Sequence, residues 1–186
     1  PKEERVAIEP LDKTQKADAL RHYNAMLFND AGLLIVSNGA HTEDIYDTFN
    51  SPDRKNSFAL RRILDRWGPE PDDFHTPRIA GVIDYPECYL AIVTKGNHAR
   101  SRTLQPKLGF SHGVSTYSGE GDEPQPFDIE GLRKRGFPQV TIKGESPEDI
   151  ARFFINEVVD QEYFVCCASA LWREDRWRIC VLNESG

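Results

Sequence analysis

The stretch Leu33-Leu34-Ile35-Val36-Ser37-Asn38-Gly39-Ala40-His41-Thr42 constrains this chain more than any other. Four consecutive aliphatic residues predict a short buried strand. Ser37-Asn38-Gly39 then breaks it with turn formers, of which Asn and Gly both tolerate a left-handed backbone. Thr42 follows as a candidate helix N-cap, with Glu43 and Asp44 in the first turn, where negative charge suits the helix dipole. A buried strand that runs through a polar elbow into a helix presents side chains and amides to a ligand. An ordinary strand–turn–helix connection has the same pattern, so the elbow gains meaning only from its neighbours.

Composition narrows the classes of function. A chain of 186 residues is most simply one domain, spanning 1–186 and large enough for a real core. A formal charge of −7 argues against a nucleic-acid partner, which needs a basic surface to displace counterions. No apolar run approaches the roughly 20 residues of a membrane span, and no signal-peptide pattern opens the chain, so a cytoplasmic protein is expected. Cys88, Cys166, Cys167 and Cys180 form no Cys-x-x-Cys pair and lie in strand-like segments, which predicts small buried thiols in a reducing compartment. His41, His75 and His112 are not at metal-ligand spacings, and no metal site is expected.

Along the chain, Glu4 to Ile8 reads as a strand and Thr14 to Met26 as a loosely amphipathic helix, with Ala17, Leu20, Tyr23 and Ala25 on its apolar side. Asn29-Asp30-Ala31-Gly32 turns into the elbow strand. Helices are predicted over Thr42–Phe49 and over Ser57–Trp67, the second burying Leu60, Ile63, Leu64 and Trp67. Gly68 to His75 is irregular, acidic and proline-rich. Two strands follow, Ile79–Ile83 and Tyr89–Thr94, then a turn at Lys95-Gly96-Asn97. Val114–Tyr117 and Val140–Ile142 read as further strands, separated by a surface excursion from Ser118 to Phe137. Ser146-Pro147-Glu148-Asp149 opens a helix running to about Val159 that buries Ile150, Phe153, Phe154 and Val158. Tyr163–Trp172 and Trp177–Leu182 form a hairpin turning at Glu174-Asp175. Strands and helices in this order, with antiparallel pairs, define an α+β protein.

Three segments in a fixed order resemble the archaeal-type inosine monophosphate (IMP) cyclohydrolase family: Tyr23-Asn24, Val36-Ser37-Asn38-Gly39-Ala40-His41-Thr42, and Thr76-Pro77-Arg78-Ile79. Glu3-Glu4-Arg5-Val6-Ala7, Ser115-Thr116-Tyr117 and Ser146-Pro147-Glu148 extend the likeness over most of the chain. The resemblance implies a four-layered αββα sandwich of the N-terminal-nucleophile hydrolase type. It implies ring closure of 5-formamidoimidazole-4-carboxamide ribonucleotide to IMP, the last step of purine biosynthesis, with no metal or cofactor. The partners are then a purine ribonucleotide substrate and product, and homo-oligomerisation is left open. The family also carries a glycine-containing strand and an arginine-bearing segment ahead of the region matched by Glu3-Glu4-Arg5. Neither is present in these 186 residues, so unpaired sheet edges are expected.

In that reaction the carboxamide nitrogen attacks the formyl carbon of the same molecule, so much of the entropic cost is already met. The site has to take a proton from a poorly basic amide, give one to the formyl oxygen and hold a 5′-phosphate. Tyr23 is the candidate phenol for proton handling or oxyanion stabilisation; a core aromatic is the other reading. Glu70 aligns, by its distance ahead of Thr76-Pro77-Arg78, with a functional glutamate of the family, and a solvated loop acid is its alternative. Asn38 is a candidate partner for the base or carboxamide, or else an Asx turn, while Gly39 lets backbone come close. Asn24 is carried over with the Tyr-Asn motif. Ser37, Thr42 and Thr76 are candidate hydroxyl donors. Arg78, just before an apolar strand, calls for a buried partner or an anionic ligand, and Arg100 and Arg102 are candidates for the phosphate. Two rivals remain: a non-catalytic purine-nucleotide-binding homologue, and an amide hydrolase of the same fold. With Pro1 as the mature start, the latter lacks the Cys, Ser or Thr that an N-terminal nucleophile requires.

Overall fold

The computed structural model describes residues 3–10, 18, 20–51, 55–106, 111–118, 125–126, 143–157, 162 and 164–183. Six strands form one antiparallel sheet in simple chain order: β1 (Glu3–Ile8), β2 (Tyr23–Asn29), β3 (Leu33–Ser37), β4 (Arg78–Asp84), β5 (Glu87–Val93) and β6 (Arg100–Leu104). Helices α1 (Thr42–Phe49) and α2 (Ser57–Trp67) lie between β3 and β4 in the chain. Beyond β6 come the short pair β7 (Tyr117–Ser118) and β8 (Gln125–Pro126), then helix α3 (Pro147–Glu157) and the hairpin β9 (Cys166–Arg173) and β10 (Arg176–Asn183). The protein is therefore α+β with antiparallel sheets.

Alternation along the strands sorts the large sheet into two faces. Leu27, Leu33, Ile35, Ala80, Val82, Tyr89, Ala91 and Val93 share one core with Ile45, Tyr46 and Phe49 of α1 and Leu60, Ile63 and Leu64 of α2. On the opposite face Met26, Phe28 and Leu34 form a second cluster, packed by Ala168, Ala170, Trp177 and Ile179 of the hairpin. Helix α3 in turn contacts β9 and β10. The elbow strand Leu33–Ser37 sits centrally, paired to β2 on one side and β4 on the other, which is why its aliphatic run is continuous.

Both expected helices after the elbow form over the predicted spans. Helix α2 is capped by Asn56, whose side chain accepts from Ala59 N at 2.8 Å, and ends at Gly68 with φ +66°. Three expectations change. Tyr23–Met26 is strand, not helix: Ala25 has no partner in β1, and this bulged residue shifts the alternation so that Tyr23 and Met26 fall on one face three apart. That spacing imitates a helical face. Thr42 does not cap α1; His41 holds the cap position without a side-chain bond, and Thr42 Oγ1 turns back to donate to Gly39 O at 2.8 Å. The cysteines are free but not buried: Cys166 is exposed, and Cys88, Cys167 and Cys180 are half-buried.

Smaller differences follow the same physics. Arg100–Leu104 is a strand because it pairs along β5, although its charged sequence carries no apolar alternation. Val114 and Ser115 are irregular, and only Tyr117–Ser118 pairs. On α3, Ala151 is the buried residue, while Ile150, Phe153 and Phe154 are half-buried. Trp67 is 37% exposed at the end of α2. The predicted strand Val140–Ile142, the first turns of the predicted helix from Thr14, Val158, and most of the Ser118–Phe137 excursion lie outside the described residues.

Candidate functional site

The elbow clasps the start of β4 through a side chain. Asn38 Nδ2 donates to Pro77 O at 2.9 Å and its Oδ1 accepts from Ile79 N at 2.8 Å, which continues the β3–β4 ladder past the last backbone pair. Asn38 is thus neither a free amide nor a simple Asx turn. Between the two clasped residues, Arg78 shares the helix-facing side with Ala80 and Val82, and only 4% of it is exposed.

Its partner comes from the acidic loop after α2. Asp72 organises that loop, its carboxylate accepting from Thr76 N at 2.9 Å and from Thr76 Oγ1 at 2.6 Å. These bonds hold the Asp72 carboxyl below its ordinary pKa. Glu70 N donates to Thr76 O at 2.8 Å, closing the loop so that the Glu70 side chain turns inward. Arg78 Nη1 then donates to Glu70 Oε1 at 2.6 Å, with both side chains less than a tenth exposed. Glu70 is therefore not a solvated loop acid. Its second oxygen, Oε2, is buried without a hydrogen-bond partner among the described residues, as is Arg78 Nε. Burial raises the Glu70 pKa above its ordinary value, against the opposing pull of Arg78. The Arg78 guanidinium lies 5.0 Å from the Trp67 ring centroid, a cation–π contact.

Gly39 explains itself here. It does not adopt the left-handed backbone that glycine tolerates. A Cβ on it would lie 2.6 Å from both Arg78 Nη1 and Glu70 Oε1, so the elbow needs glycine for room. Ser37 Oγ and Thr42 Oγ1 form a buried hydroxyl pair, and both bond Gly39 O.

The opposite face holds a cleft of about 550 Å³ lined by Tyr23, Val36, Asn38, Ile79, Gly81 and Leu90, among others. Tyr23 reaches it because of the bulge: with Ala25 looped out, Tyr23 pairs with Ile8 on the face of Val6 and Met26. Without the extra residue its phenol would point at the helices. Burial raises the Tyr23 pKa, and the nearby Glu70 and Cys166 raise it further, so the hydroxyl keeps its proton at neutral pH. Asn24 takes the other face and donates to Glu43 Oε1 of α1 at 2.7 Å, away from the cleft.

Arg102 pairs with Leu90 in register and shares the cleft side of the sheet; its Nε is buried without a hydrogen-bond partner among the described residues. Arg100 pairs with Ile92 at the sheet end and is exposed, lining a separate polar recess with Arg61, Asn97 and His98. The structure thus gathers Glu70, Arg78, Ser37, Asn38, Gly39, Thr42 and Thr76 at one end of the sheet, with Tyr23 within electrostatic reach. Arg100 and Arg102 stand two strands from β4. Sequence reasoning did not connect the buried His41 or the partly exposed Trp67 with Arg78, which both contact. The helical spacing marks Trp67 only as an apolar-face residue and His41 not at all; only the fold brings them to Arg78. No group of three or more His, Cys, Asp or Glu among the described residues has the geometry to hold a metal ion. No helix among them is long and apolar enough to cross a membrane.

The cleft is lined by a phenol that holds its proton, and a buried carboxylate of raised pKa lies within electrostatic reach of it. The sequence profile of the IMP cyclohydrolase-like protein family matches residues 1–176. The IMP cyclohydrolase of Methanocaldococcus jannaschii is 31% identical over 152 residues, covering 81% of this chain and 66% of that protein. That of Methanothrix thermoacetophila is 31% identical over 149 residues, covering 80% and 65%. That of Methanocella arvoryzae is 29% identical over 184 residues, covering 97% and 81%. The chain belongs to the IMP cyclohydrolase-like family, and its match spans about two thirds of the length of the first two relatives.

Proposed function

We propose that this protein is an IMP cyclohydrolase, closing 5-formamidoimidazole-4-carboxamide ribonucleotide to IMP with loss of water. The observation that carries the reading is Tyr23, turned into the cleft by its bulge, within electrostatic reach of a buried Glu70 whose Oε2 has no hydrogen-bond partner among the described residues. Their shifted pKa values assign opposite roles. Glu70, more basic than an ordinary carboxylate, takes the proton as the carboxamide nitrogen bonds to the formyl carbon. Tyr23, held neutral, gives its proton to the formyl oxygen, which becomes a hydroxyl. The resulting carbinol then loses that hydroxyl with a nitrogen-bound proton as water. Arg78 keeps Glu70 in place, and Asn38, Ser37, Thr42, Gly39 and Thr76 fix the elbow that frames the base.

Arg102 is the cationic end for the 5′-phosphate, whereas Arg100 lines the separate recess. Two strand spacings separate β4 from β6, about 10 Å, which suits the reach of a nucleoside monophosphate from base to phosphate. We read residues 1–186 as one domain and its layers as αββα: α1 and α2, the large sheet, the hairpin, then α3. The free thiols, with Cys166 exposed, fit a reducing cytoplasm.

The test is ring closure itself. Purified protein mixed with the formylated carboxamide ribonucleotide is expected to produce IMP, followed by its absorbance. Tyr23→Phe and Glu70→Gln should each lower kcat by about 10²–10⁴-fold. Tight IMP binding by a folded protein that forms no IMP would instead identify a nucleotide-binding homologue.

A further inference from the structure

We propose that His41 is the positioning residue of this site: it holds the Arg78–Glu70 pair one-pronged, which leaves Oε2 of Glu70 to take the substrate's proton. The inference rests on the cyclohydrolase reading for the identity of the substrate and on geometry for the rest. His41 is fully buried, and its two ring nitrogens meet opposite kinds of group. Nε2 lies 3.2 Å from Ile79 O, which can only accept, so Nε2 carries the hydrogen. Nδ1 lies 3.2 Å from Arg78 Nη1, which can only donate, so Nδ1 is bare. Both contacts select the same neutral tautomer.

The charged groups around the ring agree. Arg78 faces it from β4, Glu70 stands behind Arg78 on the loop, and Asp44 approaches from α1. Asp44 is already engaged, accepting from Arg66 Nη2 and Trp67 Nε1 at 2.7 Å each, so it is no ready counterion for an imidazolium. Burial, with Arg78 adding to it, lowers the His41 pKa to about 4.

The consequence falls on Arg78. Its Nη1 serves two acceptors at once, Glu70 Oε1 at 2.6 Å and His41 Nδ1 at 3.2 Å. With Trp67 5.0 Å beneath, the guanidinium is pinned edge and face. Arginine and carboxylate otherwise favour a two-pronged pairing, which here would bring the other amino group, Arg78 Nη2, onto Glu70 Oε2. Oε2 is instead buried without a hydrogen-bond partner among the described residues. A second prong would occupy the oxygen that the reaction needs and draw the Glu70 pKa down.

Two variants and two readouts test this. His41→Gln can reproduce both contacts, its amide oxygen accepting from Arg78 and its nitrogen donating to Ile79, whereas His41→Leu reproduces neither. In the ¹³C-carboxyl NMR titration, Glu70 should titrate at least about tenfold in proton affinity lower in His41→Leu than in wild type, and His41→Gln should stay near wild type. In turnover, His41→Leu should lose about ten- to a hundredfold in kcat with KM within about threefold, and His41→Gln should recover most of that loss. Wild-type ¹⁵N imidazole shifts should report the Nε2-protonated form from about pH 5 to 8. An Nδ1-protonated ring or an imidazolium in that range would overturn the proposal even if His41→Leu fails to fold. So would an unmoved Glu70 titration in a folded His41→Leu. Absence of IMP from the wild-type protein would strike the cyclohydrolase reading alone, because both NMR measurements stand without turnover.

Discussion

On the sheet face turned to α1 and α2, Leu27, Ile35, Ala80, Val82 and Ala91 are at most 2% exposed, whereas Val36 and Ile83 on the other face are 36% and 37% exposed. The first face is filled by helix side chains; the second is only partly covered by the hairpin and keeps a cleft. Polar residues inherit the character of the face that strand alternation gives them. Arg78 falls on the sealed side, where its charge is locked to Glu70. Tyr23 is moved by one bulged residue to the open side, where a ligand can meet it. The site sits where the two meet: stiff electrostatics behind, access in front. That division makes claims that substitutions on either face can break.

The largest contrast is between two arginines. Arg78→Leu strands the buried Glu70 carboxylate without its counterion, and removing one member of a buried pair typically costs about 3–5 kcal/mol. Arg102, on the cleft side, has no ion pair among the described residues, so Arg102→Leu should change stability by less than about 1 kcal/mol while weakening nucleotide binding. Urea unfolding of the two variants measures the gap. Equal losses would mean that the cleft face is as tightly built as the helix face.

The sealed face also sets a pH signature. His41 has its pKa lowered from 6.5 to about 4, so between those values the unfolded chain binds a proton that the folded protein refuses. Stability therefore falls as pH drops through that window, by about 2 kcal/mol between pH 6.5 and 5. Glu70 acts with the opposite sign. Its raised pKa contributes stability that is fully present below the ordinary 4.5 and is lost as pH rises through the folded value. Urea melts at pH 6.5 and 5 should show the acid-side loss in wild type, flattened in His41→Gln. A wild-type profile unchanged by His41→Gln would place His41 in contact with water.

Much of this arrangement is legible in the sequence, and the parts that are not share a cause. The spans of α1 and α2 and the central strand follow from local signals: Asn56 as a cap, Gly68 as a stop, four aliphatic residues in a row. The hairpin turn at Glu174-Asp175 and the turn at Asn29–Gly32 follow likewise. Tyr23–Met26 misleads because a single bulge converts alternation of two into a spacing of three. Glu70 is legible as a candidate by family resemblance and Arg78 as a charge just before an apolar strand, but their union depends on a loop that Asp72 folds onto Thr76. His41 has no local mark at all. A lone histidine before a helix becomes meaningful only when a strand 38 residues on supplies Ile79 O, and the residue before it supplies Arg78. Side-chain roles that depend on two distant segments meeting are the ones that sequence periodicity does not encode.

The finest comparison is between two glycines, one on each side of the division. At Gly39 a methyl group would press to 2.6 Å from Arg78 Nη1 and Glu70 Oε1. Those are side-chain ends, which elsewhere would swing aside, but here each holds the other and both are buried. Gly39→Ala should therefore destabilise the protein by about 1–3 kcal/mol, as overpacking of a filled site does. At Gly81 the nearest atom to an added Cβ is Leu90 Cδ2 at 3.4 Å, an ordinary contact, and the methyl group would project toward the cleft. Gly81→Ala should leave stability within about 0.5 kcal/mol, the loss of packing space being offset by a stiffer strand residue. Its effect should appear in ligand binding instead, as a few-fold rise in KM with kcat retained. If both alanines melt alike and neither alters KM, the cleft beside Gly81 is not where the nucleotide lies, and the open face has some other occupant.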